Sequence, residues 1–463
     1  MFKDKYSAGK ELRLKSPRSK MSFWKAETKR PSAVDMIKKS NHDRLPELVP
    51  MRHFRMKQSP FAFYRATASL MARDLAHTPA SGIIVQGCGD CHLMNFGGFG
   101  TPERHIIMDL NDFDETLPCP WEWDLKRLAT SFVLAFRDKG FSAADSENVV
   151  INLVSSYQQS ILEFAQMNFL DLWYLKFDLE EMAQDANVEI RERLISRLEK
   201  VKKQTHDTVF YKMTSDILGK FAIMEQLPLI IRPANPEHAV SVARTFINQY
   251  KKTLQPDRRF LLDQYEVYDV ALKVVGVGSI GTRCFVALLL NDQHEPLFIQ
   301  IKEARQSVLE PYNKASRYKH HGERIVQGQR LIQSASDIFL GWATGPGGRD
   351  YYLRQLRDRK ISPIIETMGK SMLSDYARAT GRVLAKAHCK SHKGAEISGY
   401  IGKGDVFAKA IAVFGKAYAD QTEKDFADFL KGIKAGKLRA EEKPANSMKV
   451  FTTIGKQSMD SLK

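Results

Sequence analysis

The hydrophobic pattern of this chain changes period twice, and that change limits the fold more than any other feature. From about residue 59 to about 253 the apolar residues recur mainly at helical spacing. Three runs follow, EVYDVALKVVGVG, TRCFVALLL and PLFIQIK, rich in β-branched and aromatic residues and separated by turns. After a helical stretch over about 312–334, FLGWATGPGGRDYYLRQL reads as two strands around a Gly-rich hairpin, and helical spacing returns from about 366 to 435. A β-rich block between two helix-rich regions is an α+β layout. It lacks the regular strand–helix alternation of a doubly wound sheet. With 463 residues, 43% of them hydrophobic, the chain is long enough to bury a large core. No apolar run approaches the roughly 18 residues that a membrane helix needs.

Local signals refine this outline. Ser59-Pro60 reads as an N-cap and first-turn proline, predicting one continuous amphipathic helix through FAFYRATASLMARDLAH. IIVQG and HIIMDLNDF are short strand candidates. Leu125, Leu128, Phe132 and Phe136 share one face of a predicted helix from Trp121 to Gly140, and Ser142 with Asp145 forms a capping-box start for the next. The resulting divisions are 1–31 as a flexible basic arm, 32–254 helical, 255–357 β-rich, 358–435 helical and 436–463 as a tail.

The formal net charge of +16 suggests a nucleic-acid or phosphate partner, but its distribution weakens the first reading. Residues 1–31 carry +7 and residues 436–463 carry +3, leaving only +6 on the intervening 404 residues. Nucleic-acid binding through the basic arm therefore stands as a rival without a supporting fold signature. Five cysteines are too few for a disulfide framework. The charged start MFKDKYSAGKELRLK lacks the apolar segment of a signal peptide, giving an expectation of a cytoplasmic protein with no membrane partner.

Three motifs carry chemistry. GVGSIG places Gly276, Gly278 and Gly281 between two strand runs, where a dinucleotide fold would require a helix next. Strand–glycine loop–strand is either a plain hairpin or the arrangement that lays backbone N–H groups over nucleotide phosphates. Lys302 ends the following strand, twenty-one residues past the last glycine, and Glu323 on the next helix, with Glu310 behind it, is its candidate partner.

CGDCHLMN contains Asp90 and Asn95 as D-x-x-x-x-N on a loop leaving a buried strand. A carboxylate followed by an amide at this spacing serves a phosphotransferase loop, the acid deprotonating the acceptor and the amide oxygen holding a metal. It also serves an ordinary Asx turn. The overlapping C-x-x-C-H pattern fits haem attachment only in an exported protein, and a zinc site lacks a second Cys/His pair. Asp109, Asp112 and Asp114 then crowd MDLNDFDET, and their repulsion is relieved either by solvent or by a shared hard cation such as Mg²⁺. Asp124 opens the PWEWDLKRLA helix in a position suited to capping, while Arg52, Arg55 and Arg65 bind phosphate or face solvent.

Taken together, these residues resemble aminoglycoside- and choline-kinase-like phosphotransferases. CGDCHLMN is similar to their HGDLHxxN catalytic loop, with Cys88 at the leading histidine position, and NDFDE is similar to their metal-binding D-F-x loop. PWEWDLKRLA looks like the proline-then-DLA element that follows, and GVGSIG and IQIK like the glycine loop and strand lysine. More closely, SPFAFYRA, CGDCHLMNFG, DLNDFDETLPCPWEWDLKRLA, VGVGSIGTRC, GERIVQGQRLIQSASDIFLGW and YYLRQLRD resemble the bacterial family known as domain of unknown function 2252, grouped with the kinase-like superfamily. The resemblance implies a two-lobed kinase-like fold with circularly permuted motif order, since the catalytic and metal loops precede the glycine loop by about 160 residues.

It also implies Mg²⁺/ATP-dependent phosphoryl transfer to a small-molecule or protein hydroxyl. Asp90 would be the base, Asn95 and Asp112 would hold Mg²⁺ with Asp114 or Asp109 assisting, and Lys302 with Glu323 would orient phosphates beneath Gly276, Gly278 and Gly281. A nucleotide-binding regulator without catalysis, or a nucleotidyl transferase, would use the same pocket.

Overall fold

The computed structural model describes residues 2–184, 188–204, 206–217, 220–356 and 359–443, with Val450 and Ile454. The fold is mixed α+β, with several small sheets set among many helices. The β-rich stretch forms most of a six-stranded antiparallel sheet. Its spatial order is Gly341–Thr344, Asp350–Gln355, Pro296–Glu303, Cys284–Leu290, Glu266–Lys273 and Ile230–Ile231. Strand alternation divides its two faces. Leu297, Ile299 and Ile301 point into an apolar core with Phe246, Ile247 and Tyr250 of the Pro236–Tyr250 helix. Gln300 and Lys302 belong to the opposite face, and Lys302 pairs across the sheet with Tyr352 and Cys284.

The helices Trp121–Asp138, Ala143–Gln166, Lys370–Cys389 and Val406–Lys434 enclose the largest core. Leu125, Leu128, Phe132 and Phe136 all lie fully buried in it, as the helical spacing predicts. Ser142 and Asp145 form the complete reciprocal capping box. Among the described residues, no helix is long and apolar enough to cross a membrane. All five cysteines are buried and free.

Three expectations change. The predicted helix after Ser59 is two helices, Pro60–Arg65 and Ala68–Leu75. The Thr67 hydroxyl donates to the carbonyls of Phe63 and Tyr64, both at 3.1 Å, and ends the first helix there. The helix predicted over about 312–334 is confined to His321–Ile332.

The flexible arm is also corrected. Phe2–Lys15 is a helix packed along Gly394–Ile401, and a Cβ at Gly9 or Gly399 would run into the Glu396 or Tyr6 carbonyl. Arg13 Nε donates to Tyr400 O at 2.8 Å, and Arg30 forms buried ion pairs with Asp74 and Asp425. Close packing at the glycines seats this segment, and internal hydrogen bonds and ion pairs occupy charge that looked free in the sequence. From residue 444 on, the predicted tail lies outside the described residues apart from Val450 and Ile454.

Candidate active site

Sheet register explains how two distant-looking motifs meet. The strand Ile84–Gly87 pairs with Leu117–Pro120, and between them the hairpin Phe96–Gly100/Ile106–Leu110 pairs Phe96 with Leu110. The residues just outside that last pair must therefore face each other, and Asn111 N donates to Asn95 O at 2.8 Å. The loop of residues 88–95 and the acidic loop of residues 111–116 run side by side for this reason.

One stripe of the Trp121–Asp138 helix fixes the first loop. Asp124, Arg127 and Ser131 stand at i, i+3 and i+7, hence on one face. Asp124 accepts from Cys88 N at 2.8 Å and Gly89 N at 3.0 Å, while Ser131 Oγ accepts from Leu93 N at 3.0 Å. Asp124 is thus a cap for the neighbouring loop as well as a residue of its own helix's first turn. Arg127 Nε donates to Asp90 Oδ1 at 2.6 Å, and its Nη2 lies 2.5 Å from the same oxygen as an ion pair. Gly89 has φ +85°, and a Cβ there would strike the Glu115 carbonyl, so the loop requires glycine. Burial raises the Asp90 carboxyl above its ordinary range, against the opposing charge of Arg127.

Asn95 Nδ2 donates to the Asp90 carbonyl at 2.5 Å. The amide nitrogen must face that carbonyl, so the amide oxygen is turned to the other side as an available hard donor. Lys302 Nζ lies 2.8 Å from Asp114 Oδ2 and 3.7 Å from Asp112 Oδ1. Tyr352, the cross-strand neighbour of Lys302, donates its hydroxyl to Asp114 Oδ1 at 2.7 Å. Burial works to raise the Asp114 carboxyl, but Lys302 and Tyr352 outweigh it and hold it below the usual range. Asp112 is raised by burial and by the adjacent Asp114 charge. Its side chain is 40% exposed and forms no bidentate pair, so it keeps oxygen available for a ligand. With Asn95 this is a hard, oxygen-only donor set of the kind that suits Mg²⁺.

Two cavities share this junction. One, of about 520 Å³, is lined by Gly276, Lys273, Gln300, Lys302, Arg354 and Asn95 among others. The other, of about 370 Å³, contains Asp90, His92, Gly276, Gly278 and Glu115. Asn95, Asp112, Arg65 and Gly276 line both. Gly276 and Gly278 therefore join the site, as do Asp90, Asn95, Asp112, Asp114 and Lys302. Gly281, with φ +89°, turns the loop back toward the Cys284–Leu290 strand and packs on Arg44, outside the lining of both cavities.

Two further candidates, Asp109 and Glu323, are not brought in. Asp109 is buried, with its carboxylate taken by the Ser334 N–H at 2.8 Å and hydroxyl at 2.6 Å. Among the described residues, Glu323 forms no ion pair or hydrogen bond with Lys302, whose partner is Asp114. In the first helical turn the Glu323 N–H bonds to the His320 side chain at 3.2 Å. One residue further, about 100° around the helix, buried Arg324 donates to Thr116 O at 2.6 Å and Asp114 O at 2.8 Å. Glu310 instead approaches Arg324 at 3.9 Å.

Cys88, Cys91 and Asp124 place ligand-capable atoms within 4.8 Å of one another. Burial raises the Cys88 thiol well above its ordinary value and Cys91 to about 11, so both thiols are protonated at neutral pH. Sequence reading overlooked Arg127, Tyr352 and Arg324. A polar i, i+3, i+7 stripe in an otherwise apolar helix was the available signal for Arg127; Tyr352 and Arg324 act through contacts more than 200 residues away.

The molecule is thus an α+β protein whose cleft gathers carboxylates, an amide, a glycine turn and a buried lysine. Residues 44–432 match the family described as an uncharacterised protein conserved in bacteria (DUF2252), and the chain belongs to that family. No curated protein and no solved structure matches it.

Proposed function

We propose that this protein is a Mg²⁺/ATP-dependent phosphotransferase acting on a hydroxyl group, with a kinase-like, circularly permuted arrangement of its motifs. The observation that carries the reading is the meeting of Asp90, Asn95, Asp112 and Asp114 with Lys302 and Gly276, which come from segments more than 150 residues apart. Asn95 and Asp112, with Asp114, would hold Mg²⁺, which when bound neutralises phosphate charge. Lys302 holds Asp114 in place and orients phosphates against the glycine turn. Arg127 fixes Asp90 through Oδ1, leaving Oδ2, which lies 3.9 Å from His92 Nε2, to receive the acceptor's proton.

Thermal unfolding with and without Mg-ATP tests the nucleotide site. Wild type should gain stability by mass action, and Asp112→Asn and Lys302→Ala should each lose most of the gain. Asp90→Asn should keep the Mg-ATP response and lose γ-phosphate transfer. No response in wild type, or variants that respond like wild type, would overturn the assignment. Binding with no transfer to any acceptor would leave a nucleotide-binding regulator.

A further inference from the structure

The cavity containing Asp90 has an uneven electrostatic lining. Its carboxylates are largely satisfied by cations that lie outside its wall: Asp90 by Arg127, Asp114 by Lys302, and Glu303 by Arg283 and Arg349. Glu115 accepts the Val308 N–H at 2.7 Å, and burial raises its carboxyl to about 7. Among the described residues, the lining arginines have no such partners.

Among the described residues, Arg44 donates only to the Ser40 and Ile280 carbonyls, at 2.9 and 2.6 Å. Arg305 donates to the His42 carbonyl at 2.8 Å. Arg52 donates to Ser40 Oγ, Asn41 Oδ1 and Ala66 O, at 3.1, 2.6 and 2.8 Å. It is only 1% exposed, and its Nε is buried with no hydrogen-bond partner among the described residues. Arg65, the last residue of the Pro60–Arg65 helix, also has a buried Nε without a hydrogen-bond partner among the described residues.

None of these four guanidinium groups lies within salt-bridge distance of a carboxylate among the described residues. Arg52 is buried and the other three are partly buried; desolvated charge without a counter-ion is costly, and a ligand that completes it offsets that cost. In agreement, burial and neighbouring arginines lower Arg44 well below its ordinary range and Arg52 to about 10. The adjoining cavity has its own cations for a nucleotide, Lys273, Lys302 and Arg354, and among the described cationic residues only Arg65 is common to the two linings.

We propose that the acceptor is a small alcohol already carrying an oxyanion, a phosphate or a carboxylate, which Arg44, Arg52 and Arg305 bind while Arg65 sits at the junction with the nucleotide. This rests on the phosphotransferase reading above. The acceptor oxygen bonds to the γ-phosphorus, its proton passes to Asp90, and the bond from that phosphorus to the β–γ bridging oxygen breaks to release ADP. A guanidinium fork matches either oxyanion in bidentate geometry.

The test uses the full chain with saturating Mg-ADP, so that added anion does not read the nucleotide site. Inorganic phosphate and malonate are titrated separately by calorimetry and thermal unfolding. Either anion should bind, and the tighter one identifies the group. Arg44→Gln and Arg305→Gln should each weaken it about tenfold, while the Mg-ADP-induced stabilisation stays as in wild type. Arg305 lies only partly buried on a loop, so its variant tests the site even if Arg44→Gln fails to fold.

No binding of either anion, or binding indifferent to both substitutions, overturns the proposal. Loss of the Mg-ADP response in the same variants overturns it too, because the arginines would then serve the nucleotide. If Mg-ADP has no effect on wild type while anion binding follows Arg44 and Arg305, the phosphotransferase reading falls and the oxyanion site stands.

Discussion

Arg127→Met removes a cation that is buried beneath the proposed base. The Arg127 side chain is 3% exposed and that of Asp90 is 22% exposed. Arg127 also donates to Tyr64 O at 3.1 Å and stacks 4.4 Å from the Tyr64 ring centroid. Removing one member of a buried pair costs about 3–5 kcal/mol, mainly by stranding the other charge. Water reaches one side of Asp90, and methionine keeps much of the apolar stem, so the low end applies: about 3 kcal/mol. Asp90→Asn keeps an acceptor for Arg127 but strands the buried guanidinium charge, at about 2 kcal/mol. Because both variants break one interaction, the double variant should cost about 2 kcal/mol less than the two single losses combined. Urea unfolding at neutral pH, followed by tryptophan fluorescence and compared at unchanged m, reads all four proteins. A loss below about 1 kcal/mol for Arg127→Met, or independent addition of the two substitutions, would refute the idea that Arg127 holds Asp90.

Three other outcomes are expected. Burial raises the Glu115 carboxyl to about 7 from its ordinary 4.5, so the folded protein holds that proton more tightly than the unfolded chain. Its contribution is fully present below about pH 4.5 and is lost as pH rises through about 7, so wild type should lose about 3 kcal/mol relative to Glu115→Gln between about pH 5 and 8 in parallel urea titrations. Asp124→Ala strands the buried Cys88 and Gly89 N–H groups, and should cost about 3 kcal/mol and speed hydrogen exchange at both amides. Gly9→Val forces the Phe2–Lys15 helix off the Glu396 carbonyl; limited trypsin digestion should then cut at Lys10 or Arg13 while the rest of the chain resists.

Short-range signals carried the outline of the fold. The change from helical to strand spacing located the sheet, the Ser142–Asp145 box marked a helix start, and Gly140 marked a helix end. The same kind of reading failed at Thr67, whose hydroxyl competes with the backbone. It failed again in residues 1–31, where a basic run expected to be a flexible arm forms a helix whose Gly9 permits close contact with Gly394–Ile401.

Within the site, residue type and spacing alone selected Asp90, Asn95, Asp112 and Lys302, because few side chains can supply a base, hard oxygen donors and a phosphate-directed cation. Which carboxylate meets which cation was decided only by tertiary structure. Lys302 takes Asp114 and not Glu323 because the sheet delivers Lys302 and Tyr352 together on the face over the acidic loop. Asp109 turns away into a buried bond with Ser334 because strand alternation reverses its direction relative to Leu110. Spacing along the chain fixes which residues share a helix stripe or a strand face. The pairing of Arg127 with Asp90, and the four arginines left without carboxylates, depend on register and helix packing between distant segments, which no local pattern encodes.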